Sequence, residues 1–197
     1  MVSLSEIAVI SFVNRYGSDA TAAYGAVNQV VSYVQFPAIS IGIAASIFGA
    51  QSIGARRIDR LGAIVRTGVG LSYAIEGALV LVVYAFSWLI LSLFLTTEHT
   101  LNIAHTLLDI TLWSYVIFGN SAVLSGVMRS SGAVVWPTLL SILSIWVVEV
   151  PCAYVLSHRI GIDGVWIAYP IAFATNLIMQ STYYFRFWKR REVKALV

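Results

Sequence analysis

Residues 20–55 read ATAAYGAVNQVVSYVQFPAISIGIAASIFGAQSIGA and carry no formal charge between Asp19 and Arg56. A helix needs about 20 apolar residues to cross a hydrocarbon core of about 30 Å. This stretch is long enough to span with tilt, and it lacks the two-residue alternation of a membrane-barrel strand. Outward from it, residues 67–97 carry only Glu76 between Arg66 and Glu98. Residues 101–128 are interrupted by Asp109 and residues 133–156 by Glu149, and a further run covers 161–185. Ahead of them all, Val2 to Val13 is apolar apart from Glu6, and its 12 residues fall short of a crossing. That piece reads as a spanning helix whose beginning is missing. A signal peptide would need a basic residue before its apolar part and no acid within it.

The expected organisation is all-α, a polytopic membrane helix bundle. Residues 1–13 form a truncated first transmembrane helix. Residues 14–187 hold five transmembrane helices, at about 20–53, 62–95, 101–128, 133–157 and 161–186, and residues 188–197 form a basic tail. Composition agrees. The 197 residues are 59% hydrophobic and 11% charged, whereas soluble domains are about 45–50% apolar and about 25% charged. A mean hydropathy of +0.84 leaves too few polar side chains to cover a water-facing surface, so the lipid bilayer is the first partner.

The net charge of +3 does not point to nucleic acid, because the basic residues sit at segment ends. Alternating the loops puts Arg56, Arg57, Arg60, Arg66, Arg129 and five tail residues on one face, and only Arg15 and Arg159 on the other. Positive loops are retained in the cytoplasm, which places the C-terminus inside. The lone Cys152 excludes an internal disulfide and a cysteine zinc site.

Helices in lipid associate through small residues. Ala38, Gly42, Ser46, Ala50 and Gly54 recur every four positions, and Gly70, Ala74 and Ala78 repeat the spacing. Pro37, Pro151 and Pro170 fall inside predicted helices, where each removes a donor from the carbonyl four residues earlier and favours a kink. Ionisable groups near the bilayer centre cost at least about 2.5–3.5 kcal/mol. Glu6, Glu76, Asp109 and Glu149 are such groups, and no Lys or Arg lies inside a span beside them. Each is therefore either protonated or attracts a mobile cation, a pattern suited to proton or sodium coupling or to organic cations. Blander readings stand beside these: Asp109 at the outer interface, Glu76 at headgroup level, Glu149 bonded to backbone freed by Pro151. The amides Asn28, Gln35, Asn120 and Asn176 complete the set of coupling-cation and substrate candidates. Tyr33, Tyr73, Tyr115 and Trp146 lie deep enough to offer ring faces to flat cations.

Enzyme motifs are missing. There is no phosphate-binding loop, no HExxH helix and no GxSxG elbow, and His105 with Asp109 makes a poor metal site. No cofactor or metal is expected. The rival from another class is an intramembrane hydrolase or acyltransferase.

Several motifs resemble the second half of the multidrug and toxic compound extrusion (MATE) transporters. They are Ala22-Ala23-Tyr24-Gly25, Phe36-Pro37-Ala38 with Ser40-Ile41-Gly42, and Gly49-Ala50-Gln51-Ser52-Ile53-Gly54-Ala55 with its basic loop. Leu124 to Gly132 follows, then Val150-Pro151-Cys152-Ala153-Tyr154 and Gly161-Ile162-Asp163-Gly164-Val165-Trp166. The resemblance implies the second of two six-helix lobes, its first helix cut short, paired with a missing N-terminal lobe. It further implies efflux of small organic cations by alternating access, driven by sodium or protons, in a bacterial inner membrane. Glu6 would match the acid of the lobe's first helix. The acid expected on the fourth helix falls near Phe118 to Asn120, where this sequence offers only the amide of Asn120. A lipid-linked oligosaccharide flippase of the same superfamily is the related alternative, for which basic residues facing the cleft are expected.

Overall fold

The computed structural model describes residues 2–189; in the first helix, side chains are described at Ile7 and from Val9 onward. The Glu6 side chain and residues 190–197 of the expected basic tail lie outside the described residues. The described residues contain helices and no strand. The helices are α1 (Val2–Val13), α2 (Ser18–Gly54), α3 (Leu61–Ala85), α4 (Ser87–Ser92) and α5 (Glu98–Thr111), followed by α6 (Ser114–Ser130), α7 (Val135–Leu143), α8 (Val150–Ile160) and α9 (Ile162–Tyr183). A π turn over Ser144–Glu149 joins α7 to α8, and another over Tyr184–Trp188 continues α9.

Among the described residues, four helical stretches are long and apolar enough to cross a bilayer: Ser18–Gly54, Ile58–Ala85, Val135–Ile160 and Ile162–Trp188. The pair Glu98–Thr111 and Ser114–Ser130, bent by 45°, makes a fifth. The helix expected over 62–95 is shorter, because the backbone leaves helical geometry at Phe86 and resumes as α4. That expected over 101–128 bends between α5 and α6. The three prolines behave differently from one another. α2 and α9 run through Pro37 and Pro170 as continuous helices. The disturbance at Pro151 takes the form of the π turn directly ahead of it, where the ladder already lacks a donor to Val147.

α2 is the spine. Its 37 residues would extend about 55 Å, well beyond a hydrocarbon core of about 30 Å, so it tilts or projects from the membrane. It packs along α6, α3 and α5. At Gly42 and Gly126 the two backbones touch, since a Cβ on Gly126 would overlap the carbonyl oxygen of Gly42. The expected four-residue row holds at Ala38 and Gly42, is half-buried at Ser46 and is exposed at Ala50 and Gly54. The buried line instead continues through Ala45, Gly49 and Ile53. Gly70, Ala74 and Ala78 are all exposed, a correction to the expected packing row; α3 buries Gly68, Ser72, Glu76 and Val80 instead. α2 ends in a Schellman turn: Arg57 N–H donates to Ser52 O (2.8 Å) and Arg56 N–H to Ile53 O (2.9 Å). Its left-handed position, usually glycine, is Arg56 at φ +58°.

Apolar packing divides into two clusters along the bundle. One gathers Val27, Val34, Val83, Leu108 and Trp166 towards the end bearing Thr97, with Tyr24 stacked on Trp166 at 5.8 Å. The other gathers Ile53, Leu61, Val127, Met128 and Trp188 towards the arginine-bearing end. Between them runs a waist in which buried positions are small or polar: Gly42, Ser72, Glu76, Gly119, Asn120, Ser121, Ser144 and Glu149.

Candidate functional site

Polar groups inside a bilayer must be satisfied by protein or by water, so a polar layer between two apolar clusters marks where something other than packing is accommodated. A cavity of about 440 Å³ opens there, between α2, α6, the π turn and α9. Glu149, Asn176, Ser125 and Ser144 are among its polar groups, with Ser46, Ser121 and Ser141, and Phe118 and Phe173 form an aromatic wall, their rings 5.4 Å apart. Arg129, exposed in the last turn of α6, lines it as well.

Each polar group reaches the cavity for a local reason. The π turn brings Glu149 to its last position, where the residue is 5% exposed. Ser144, at the first position of the turn, donates to Ala172 O at 2.7 Å and pins the turn to α9. Asn176 Oδ1 and Ser125 Oγ are buried without a hydrogen-bond partner. Unsatisfied buried polar atoms cost about 1–3 kcal/mol each and are kept where a ligand, ion or water completes them.

A second polar node lies beside the cavity. Glu76 on α3 is fully buried, receives a hydrogen bond from Ser72 Oγ, and has Oε2 without a partner. Its carboxylate lies directly on Gly119 of α6, in space that any Cβ there would occupy. The next residue, Asn120, donates to Val116 O at 2.9 Å and leaves Oδ1 unpartnered. The segment Phe118–Asn120 lacks an acid in the sequence, and a carboxylate from the neighbouring helix reaches it. No signal within α6 could have revealed that. The headgroup-level reading of Glu76 is corrected by its complete burial.

The other candidates are placed elsewhere. Asn28 and Gln35 are half-buried on α2, outside the cavity lining. Asp109 is exposed and pairs with His105, Nδ1 to Oδ2 at 3.0 Å. His105 Nε2 is in turn 3.1 Å from Ser87 Oγ. Nucleophile, base and orienting acid stand in triad order, but Ser87 is 6% exposed. The chain of bonds clasps α4 to α5. Tyr33, Tyr73 and Trp146 are 61%, 56% and 44% exposed and do not line the cavity, while Tyr115 is buried against Phe118 and Phe173. Phe118 and Phe173 are the aromatic residues the sequence reading missed. Gln180 acts as interhelical glue, donating to Pro137 O at 2.9 Å.

A helical bundle with several stretches long and apolar enough to cross a bilayer, and a cavity with a few polar groups at its waist, defines a multi-pass membrane protein. Residues 1–155 match the MatE family model, and the chain belongs to that family. It is 59% identical to the probable multidrug resistance protein YoeA of Bacillus subtilis, over all of this chain and 43% of that one. It is also 26% identical to the probable multidrug resistance protein YpnP of the same organism, over 90% of this chain and 40% of the other. The fold matches the crystallised Vibrio cholerae MATE transporter VcmN with a TM-score of 0.91 at 17% identity, covering 98% of this chain and 44% of that one. The chain thus spans less than half the length of the relatives it matches.

Proposed function

We propose that this chain forms one lobe of a cation-coupled efflux transporter that exports organic cations by alternating access, in a bacterial inner membrane with its C-terminus cytoplasmic. The observation that carries the reading is the waist cavity, whose acid stands among unsatisfied amide and hydroxyl groups beside an aromatic wall. A carboxylate in a low-dielectric site draws a cation close to it, because its negative charge is poorly solvated there. A flat organic cation gains further from ring faces such as those of Phe118 and Phe173. If one carboxylate serves both the drug and the coupling sodium or proton, occupancy is mutually exclusive, and entry of one expels the other. The π turn that carries Glu149 supplies a place for the surrounding helix to change shape, as such turns often do at functional positions. Glu76 is assigned the second acidic role, that of a coupling-cation acceptor beside the cavity. The names of the curated relatives support drug efflux.

The test is the full-length transporter reconstituted in liposomes. Glu149→Gln is expected to lower gradient-driven efflux of a fluorescent organic cation about 100-fold, within the loss typical of removing a charge-bearing site group, while the protein stays inserted and monodisperse. Unchanged efflux removes Glu149 from the mechanism. One observation favours a second reading, lipid-linked oligosaccharide export: Arg129 lines the cavity. Under that reading Arg129→Gln abolishes transport of a pyrophosphate-linked lipid, and organic-cation efflux is absent from the wild type.

A further inference from the structure

A second cavity, of about 480 Å³, lies on the outside of the bundle between α2 and α3, away from the waist. Its floor is made of small residues, Ala44, Ala45, Ala63 and Gly68, and its rims are Phe48 and Leu71, 57% and 47% exposed. Gly68 is needed at its position because a Cβ there would overlap Val123 of α6, so α3 sits close to the bundle and leaves the recess beside it.

The recess has direction. On α2 it runs from Ile41 to Ser52 and on α3 from Leu71 to Arg60. Eleven helical steps on each wall give about 16 Å, close to the thickness of one leaflet, half of a core of about 30 Å. The deep end is wholly apolar. Thr67 lies partway along the α3 wall, the shallow end carries Arg60 with Ser52, and Arg56 and Arg57 stand in the adjoining turn. All three arginines are exposed, and none makes an ion pair among the described residues. Arg56 also holds the left-handed position of the Schellman turn, where glycine would be unstrained.

We propose that this groove binds one anionic phospholipid, its phosphate held at Arg60 and one acyl chain lying along the alanine and glycine floor. The length matches one leaflet, the lining matches a hydrocarbon chain, and the unpaired positive charge sits where the headgroup would be. Basic pockets between membrane helices recognise acidic headgroups in this way. Guanidinium suits the task because it offers a planar fork of donors to phosphate oxygens.

The experiment is native mass spectrometry of the full-length transporter in mild detergent, offered phosphatidylglycerol or phosphatidylcholine. The wild type is expected to retain phosphatidylglycerol selectively. Arg60→Gln is expected to reduce that retention about fivefold, as for loss of one headgroup-level arginine. Ala44→Trp, which fills the groove and leaves the arginines in place, is expected to reduce it as far; Ala63→Phe, on the α3 side of the floor, substitutes if the tryptophan variant does not fold. Equal retention of both lipids overturns the proposal, as does retention unaffected by these variants. Complete displacement of phosphatidylglycerol by millimolar inorganic phosphate overturns it too, since the site would then read phosphate alone. A wild type that retains no lipid also overturns it and assigns the groove to the remainder of the polypeptide.

Discussion

Gly126→Ala is expected to destabilise the folded bundle by about 3 kcal/mol, the upper end of overpacking costs. The added methyl would overlap the backbone carbonyl of Gly42, and a backbone atom, unlike the tip of a flexible side chain, moves only if a helix moves. Gly42 has little freedom to yield, because its own α-carbon faces the carbonyl of Ala122. Relief therefore requires α2 and α6 to separate along their shared face, opening the waist cavity that both helices line. Gly77→Ala is the internal control. It is also a helical glycine, but nothing lies within 4 Å of its Cβ direction, so it should be neutral or stabilising by up to about 1 kcal/mol through propensity alone. The full-length protein in detergent, followed by thermal loss of monodispersity, separates the two. Equal behaviour of Gly126→Ala and Gly77→Ala would show that the close backbone approach does not exist in the membrane.

This pair of glycines also shows what the sequence made legible. Small residues four apart announced that α2 is a packing helix, and Ala38 and Gly42 are buried as that row requires. A strict four-residue repeat advances 400° per step on a helix of 3.6 residues per turn, so it drifts about 40° each time. By Ala50 and Gly54 the row has wound out of the contact, which passes to Ala45 and Gly49 through a three-residue step. The same reasoning explains α3. Gly68, Ser72 and Glu76 are as regularly spaced as Gly70, Ala74 and Ala78, but composition drew attention to the second row and the bundle buries the first. Spans were legible because apolar length is a property of one segment. The waist was only half legible. Glu149 and Asn176 stand out as polar residues in apolar runs, whereas their meeting in one cavity depends on a π turn, and Pro151 announces a disturbance there without fixing its form. Phe118 and Phe173 passed unnoticed because an aromatic residue in a membrane helix is ordinary until its neighbours are known.

Glu76→Gln is expected to leave the protein folded and inserted while reducing gradient-driven efflux at least about tenfold, the consequence of removing the ionisable group proposed above as a coupling-cation acceptor. The amide preserves the shape of the side chain and still accepts from Ser72, so any loss reports charge and not packing. Gly119→Ala addresses the same carboxylate from the other side. Its methyl would take the space of both carboxylate oxygens, and Glu76 is fully buried, so it has no solvent into which to swing. The single change should cost about 2 kcal/mol, as overpacking does. Shortening the acid with Glu76→Ala empties the same space, and the double variant should recover most of that cost, a coupling of about 1–3 kcal/mol expected for residues in direct contact. The two measurements carry different claims. Recovery in the double variant with unchanged efflux in Glu76→Gln would keep the contact and remove the coupling role. Additive stabilities would separate Glu76 from Gly119, and with them the idea that α3 supplies the acid that Phe118 to Asn120 lacks.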